Sequence, residues 1–288
     1  MTVFVKALNI LPLLNSEKPL CETDAKELFK CQKTDFKCVF DDCSTLTRKN
    51  ESKSAFFGGL RSTCIKLGTD LAKTADFSPS YFPCFLKSGE STSKTAKSIG
   101  DVVDCLSEFY KNYVLDTSNP TKSIERLGAS LLIYDFFKER YDSAPPALCK
   151  RDCGKPFFAD FPVEVSISHS SGLVCCAFAE KKSPSFSLGI DAEAVPTEKK
   201  LASLKRIAEK FFDSELNTEL LNGLSESDFR DAFTLIWTKK ESLVKMTGEG
   251  LSGMKKEPSP DCLQSSYELS TDCGKTKYYI SLSLKLLP

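Results

Sequence analysis

The chain has 288 residues with 39 basic and 39 acidic side chains, so its formal net charge is zero and no overall field draws it to nucleic acid or to an anionic membrane. Its length supports a large core, as one domain or as two of roughly 100–150 residues each. Thirteen cysteines is a high and odd count, but a chain this long without a signal-like leader is not a small disulfide scaffold. The nearest pairs, Cys38/Cys43, Cys149/Cys153 and the adjacent Cys175-Cys176, lack the C-x-x-C spacing of a zinc or redox site. Free thiols in a reducing cytosol are therefore expected.

In chain order, Thr2 to Asn9 alternates in part and then meets proline, which reads as a first β-strand rather than a targeting signal. No apolar run approaches the ~18 residues of a membrane span. From about Asn15 to Gly100 the sequence is patchy. Polar runs at Ser44–Ser54 and Lys87–Lys97 read as mobile loops within an insertion. Val102, Val103, Leu106, Phe109 and Tyr110 have the spacing of a helix. A second helix follows the Asn119-Pro120 turn, carrying Ile124, Leu127, Leu131, Leu132 and Phe136, and Pro145-Pro146 closes that zone.

From Cys153 onward strands and helices alternate. Val163–Ile167, Leu173–Phe178 and Phe186–Asp191 read as strands, the last of them buried. Helices are expected at about Ala202–Phe212 and Ser227–Met246, the latter stopped at Gly248. The clean alternation from Tyr278 reads as a half-exposed strand. Antiparallel strands with packed helices give an α+β architecture.

Two short stretches carry the chemistry. Gly189-Ile190-Asp191-Ala192-Glu193 places two carboxylates on one face of a strand. Trp237-Thr238-Lys239-Lys240-Glu241-Ser242-Leu243-Val244-Lys245 places Lys240, Glu241 and Lys245 within about one turn of helix. Together they equip a site to hold a hard divalent cation on a phosphate and offset the phosphate's charge. Each stretch alone also has an ordinary reading, as a solvated acidic strand end and as an i,i+4 surface pair. Their joint presence points to a Mg2+-dependent phosphoryl-group transferase. The one histidine, His169, lies in a hydroxyl- and glycine-rich segment, Ser166–Gly172, that suits an anion or, taken alone, a hydrogen-bonded turn. Gly154-Lys155-Pro156 fixes a lysine between two backbone punctuators but is also a common surface turn.

Gly154-Lys-Pro, Ser168-His169-Ser170, Gly189-Ile-Asp-Ala-Glu193, Phe211-Phe-Asp-Ser-Glu215 and Trp237-x-x-Lys240-Glu241-Ser242-x-x-Lys245 stand in the order and spacing of Sfp-type 4′-phosphopantetheinyl transferases. Over roughly Ser123 to Gly253 the sequence resembles that family. The resemblance implies two pseudo-twofold-related α/β subdomains, here residues 1–182, including the poorly matched insertion at about 15–100, and 183–288 with the metal site. It implies a cytoplasmic monomer that moves the phosphopantetheine arm of coenzyme A to a serine of an acyl or peptidyl carrier protein, releasing 3′,5′-ADP. By position, Asp191, Glu193 and Glu241 would hold Mg2+. Glu241 would also serve as base, and Lys245 would stabilise charge on the phosphates. Lys155, Ser168, His169, Arg126 and Lys240 would contact coenzyme A, His169 near its 3′-phosphate, with Lys111 and Lys122 as further candidates there. Ala194–Leu224 would face the carrier. The alternative is a protein of the same fold that binds coenzyme A or a carrier without transfer.

Overall fold

Residues Thr2–Asn9 form strand β1, and both of its faces are covered: Val3, Val5 and Ala7 point to one core, Leu8 and Phe4 to another. The computed structural model describes residues 2–16, 32–39, 64–66, 98–180, 185–212, 223–256, 261–271 and 276–287, with residues 19, 22–23, 217, 221 and 258–259 between them. The polar runs expected as loops, Ser44–Ser54 and Lys87–Lys97, lie outside the described residues. The span expected as an insertion nevertheless supplies two strands, β2 (Gln32–Val39) and β3 (Cys64–Lys66). β2 pairs antiparallel with β1 along its whole length.

After the short α1 (Leu11–Leu14), the helix expected from Val102 to Tyr110 is two helices, α2 (Ile99–Asp104) and α3 (Glu108–Leu115). The break falls at Ser107, whose extended backbone caps α3, and it leaves Phe109 exposed instead of in the core. α4 (Pro120–Tyr141) starts where Asn119 Oδ1 accepts the Lys122 N–H and ends at Asp142 in the left-handed region, φ 49°. Its face of Ile124, Leu127, Leu131, Leu132 and Phe136 is buried, with Phe136 stacked on Phe178 at 4.1 Å. A small hairpin that the sequence pattern did not reveal, β4 (Leu148–Lys150) and β5 (Pro156–Phe158), leads to β6 (Val163–Ser170) and β7 (Leu173–Glu180). β6 is longer than expected, because the turn is only Ser171-Gly172, both at positive φ (45° and 88°). His169 therefore sits on a strand, not in a loop.

The second half holds β8 (Phe186–Ala194), α5 (Leu201–Phe211), α6 (Glu226–Thr247), β9 (Cys262–Thr271) and β10 (Thr276–Leu286). α6 stops at Gly248 with φ 78°, as its sequence suggests. Two sheets result, ordered β2-β1-β7-β6 and β3-β9-β10-β8. All their pairings are antiparallel except β3 with β9. Strand, helix and hairpin thus recur in the same order: β1, α4, β6, β7 and then β8, α6, β9, β10, with the third strand central each time. This is an α+β protein built from two topologically matching halves.

Val3, Val5, Ala7, Leu173, Cys175 and Ala177 meet Leu188, Ile190, Ala192, Ile280 and Leu282 between the sheets. α4 covers the outer face of the first sheet and α6 that of the second. β10 is consequently buried on both faces rather than half-exposed. Its alternating Ser281 and Ser283 lie under α6 and pair with Thr238 (2.9 Å) and Ser242 (2.8 Å). Cys175 and Cys176 are buried free thiols on opposite faces of β7. Among the described residues no helix is long and apolar enough to cross a membrane.

Candidate active site at the junction of the sheets

β6 and β8 run side by side where the two sheets meet, and hydroxyls join them. Ser166, Ser168 and Ser170 recur at period two and so share a face. Their Oγ atoms accept the backbone N–H groups of Ile190 (3.0 Å), Ala192 (3.1 Å) and Ala194 (3.3 Å). Each hydroxyl still has a proton to donate. Ser168 donates to Asp191 Oδ1 at 2.9 Å, and Ser170 to Glu193 Oε2 at 2.6 Å.

Helix α6 lies over the same face of β8. A Cβ on Gly189 would stand 2.0 Å from the Ser242 carbonyl oxygen and 2.5 Å from the Met246 nitrogen, so only glycine lets the helix come this close. That approach carries Lys245 across to Asp191. Its ammonium donates to Asp191 Oδ1 at 2.7 Å and to Ser168 Oγ at 2.9 Å. Lys245 therefore pairs between elements, not with Glu241 along its own helix as an ordinary surface pair would. Ser168 is fully engaged, with one proton given and two accepted. Asp191 is 3% exposed, and its Oδ2 is buried with no hydrogen-bond partner.

The electrostatics show an excess of negative charge. Burial pushes the Glu193 carboxyl up to about 7, with Asp191 and Glu241 adding to the push while the Ser170 hydrogen bond and Lys245 oppose it. Glu241 is likewise raised, first by burial and then by Asp191, against the pull of Lys245. Three carboxylates thus face one ammonium. Their oxygens do not all lie within 4.8 Å of one another, and Lys245 stands at the most buried of them. An oxygen-only donor set, an unpartnered buried carboxylate oxygen and uncompensated charge fit a hard divalent cation. Among the described residues, Asp35, Asp135 and Glu139 do converge within 4.8 Å. There Lys6 already supplies the cation, at 3.6, 2.5 and 2.8 Å respectively.

The other expected contacts are placed as follows. Lys155 directs its ammonium to Glu164 Oε1 (2.9 Å), Ser187 Oγ (2.6 Å) and the Met246 carbonyl (3.1 Å). Burial lowers its pKa and Glu164 restores part of it. All three of its protons serve to tie β5, β6, β8 and α6 together. His169 faces away from Ser168, half-exposed, with Nδ1 3.2 Å from Glu125 Oε1 on α4. Arg126 Nη1 donates to the carbonyls of Tyr113 (2.9 Å) and Asp116 (2.7 Å), closing the end of α3, and its guanidinium stacks 5.0 Å over the Tyr113 ring. Lys240 donates to the Met254 carbonyl at 3.2 Å, and Lys111 pairs with Asp104. Trp237 packs between Phe211 and Phe233. Beside the Lys155 tie is a cavity of about 550 Å³ bounded by Arg151, Lys155, Phe186, Ser187, Met246 and Lys285. It is within the size range of small-ligand sites. The sequence pattern marked Ser166–Gly172 as hydroxyl-rich and Ser168-His169-Ser170 as a motif but gave Ser166 and Ser170 no role, and it left no signal for Glu125 or Glu164.

Part of the chain is similar to known proteins. Residues 187–280 match the family model of the 4′-phosphopantetheinyl transferase superfamily. The 4′-phosphopantetheinyl transferase Sfp of Bacillus subtilis is 37% identical over 103 residues, 35% of this chain and 41% of that protein. The transferase ffp of Bacillus subtilis is 33% identical over 125 residues, 42% and 51% respectively. The transferase gsp of Aneurinibacillus migulanus is 35% identical over 102 residues, 35% and 38%. The chain thus matches between 38% and 51% of the length of these relatives. Residues 187–280, which contain the glycine, the carboxylates and the lysine described above, are thus similar to the 4′-phosphopantetheinyl transferase superfamily.

Proposed function

We propose that this protein is a 4′-phosphopantetheinyl transferase that moves the phosphopantetheine arm of coenzyme A to a serine of an acyl or peptidyl carrier protein. It would do so as two subdomains divided near residue 182. The observation that carries this reading is the arrangement of Asp191, Glu193 and Glu241 against a single ammonium, Lys245, with Asp191 Oδ2 buried and unpartnered. Asp191, Glu193 and Glu241 would hold Mg2+, which when bound polarises phosphate oxygens and neutralises their charge.

The chain's own groups then have defined tasks. The carrier serine's oxygen forms a bond to the phosphorus next to the pantetheine, and the bond from that phosphorus to the departing 3′,5′-ADP breaks. The serine proton passes to Glu241, directly or through water, a carboxylate placed beside the proposed metal. Lys245, which donates to Asp191 in this structure, would turn to the phosphates and offset the negative charge that grows on the leaving group. Lys155 and Ser168 act as ties that shape the site, since the protons described above go to internal acceptors, and Arg126 would contact the nucleotide beyond its Nη1 tie to the end of α3. His169 and Lys240 would also meet coenzyme A, His169 near its 3′-phosphate. The segment Ala194–Leu224 is the proposed carrier-facing surface.

A transfer assay with coenzyme A labelled on its thiol tests the reading. The expected result is label on an apo carrier with Mg2+ and none once the metal is chelated. No label on acyl and peptidyl carriers alike, with coenzyme A still bound, would overturn it in favour of a binding protein of the same fold.

A further inference from the structure

The hydroxyls of β6 do more than join two strands. In each rung a serine at position n accepts the N–H of residue n+24, as Ser166 does from Ile190, Ser168 from Ala192 and Ser170 from Ala194. In the upper two rungs the same hydroxyl donates to the carboxylate of residue n+23: Ser168 to Asp191, Ser170 to Glu193. In the lowest rung residue n+23 is Gly189, where α6 fills the space a side chain would need. Ser166-x-Ser168-x-Ser170 therefore reads β8 in register, and two of its three hydroxyls act on acidic side chains rather than on backbone alone.

We infer that Ser170 is a positioning residue that fixes Glu193 as a metal ligand, holding one carboxylate oxygen so that the other is presented on the side of Asp191 and Glu241. The inference rests on the metal reading of the site. The physical reason is the one that makes supporting hydrogen bonds matter around bound metals. A carboxylate on a flexible two-carbon stem must be ordered before it can ligate, and a hydrogen bond to one oxygen supplies that order in advance. Ser168 cannot do this for Glu193, because its one proton is directed to Asp191 and both its acceptor positions are filled by Ala192 N–H and Lys245. The 2.6 Å contact from Ser170 is a single, direct tie.

The arrangement contains its own control. Ser166 makes the same backbone tie as Ser170 but faces no carboxylate, so removing it loosens the strand junction without touching a ligand. The test is Mn2+ affinity, read by the loss of the free-ion electron paramagnetic resonance signal in full-length protein without coenzyme A. Thermal melting is followed in parallel. Ser170→Ala should weaken Mn2+ binding by about tenfold or more, Ser170→Thr should restore it, and Ser166→Ala should leave it within about twofold of the parent while lowering the melting temperature as Ser170→Ala does. Unchanged Mn2+ affinity in Ser170→Ala would overturn the inference while leaving the metal site intact. An equal loss in Ser166→Ala would also overturn it, by reducing both serines to strand ties. A parent protein that binds no Mn2+ would overturn the metal reading itself.

Discussion

Asp191 is the residue on which the site turns, because it is almost fully buried, shares one oxygen between Ser168 and Lys245, and has its other oxygen unpartnered. Asp191→Ala should lower transfer by at least about 10²-fold, the loss typical when a charge-stabilising group is removed, while leaving the fold intact. Turnover close to the parent's in a folded variant would sink the metal assignment. Lys245→Ala should lower turnover more than carrier affinity, and should leave the buried carboxylates without their internal cation. Added Mg2+ should then raise the melting temperature of that variant more than that of the parent; an equal rise in both would contradict the exchange of ammonium for metal at Asp191. Glu193 gives a pH signature. Its carboxyl sits at about 7 when folded, above the ordinary carboxylate value, so between roughly pH 4.5 and 7 the folded state keeps a proton the unfolded chain has released. Metal-free stability should therefore fall as pH rises through that window. Glu193→Gln should melt higher than the metal-free parent at pH 8, by roughly 2–6 °C, and no higher at pH 5. A pH-independent difference would refute the assignment.

At the scale of elements, β8 and α6 are coupled through Gly189, and this coupling brings Lys245 to Asp191. Gly189→Ala places a methyl group against the Ser242 carbonyl at 2.0 Å, so it should cost about 3 kcal/mol or more; thermal or chemical denaturation measures this, and a loss under about 1 kcal/mol would mean that α6 can lift without harm. Much at this scale was legible in the sequence. Period two put Asp191 and Glu193 on one face, and period 3.6 with Asn119-Pro120 and Gly248 located α4 and α6. What was not legible follows from burial by polar partners. β9 and β10 set serines under α6, so Ser281 and Ser283 read as solvent-facing when their hydroxyls are in fact paired inside. The hairpin β4–β5 is too short to leave a period. The break at Ser107 replaces one expected helix by two: its backbone is extended, and its N–H donates to the Tyr134 hydroxyl at 2.7 Å rather than into a continuing helix. For the site, the motif residues could be named but not their engagement. Nothing in Gly154-Lys155-Pro156 tells that the lysine turns inward to Glu164, Ser187 and Met246.

For the whole molecule, the repeated order of strand, helix and hairpin puts one strand of each half, β6 and β8, at the junction of the sheets. Serines come from one and carboxylates from the other, and α6 closes over both. Neither half holds the arrangement alone: the family model matches residues 187–280, while Ser168 and Ser170 lie before that segment. The span expected as an insertion contributes β2 along the whole of β1 and β3 beside β9, so it reaches both sheets and is not only a loop between elements. The most direct measurement is the intact mass of an apo carrier protein after incubation with this protein, coenzyme A and Mg2+, run beside the Asp191→Ala variant. A carrier heavier by one phosphopantetheine, with an equal amount of 3′,5′-ADP released and neither product from the variant, is the predicted result. An unmodified carrier, or modification by the variant at the parent's rate, would contradict it.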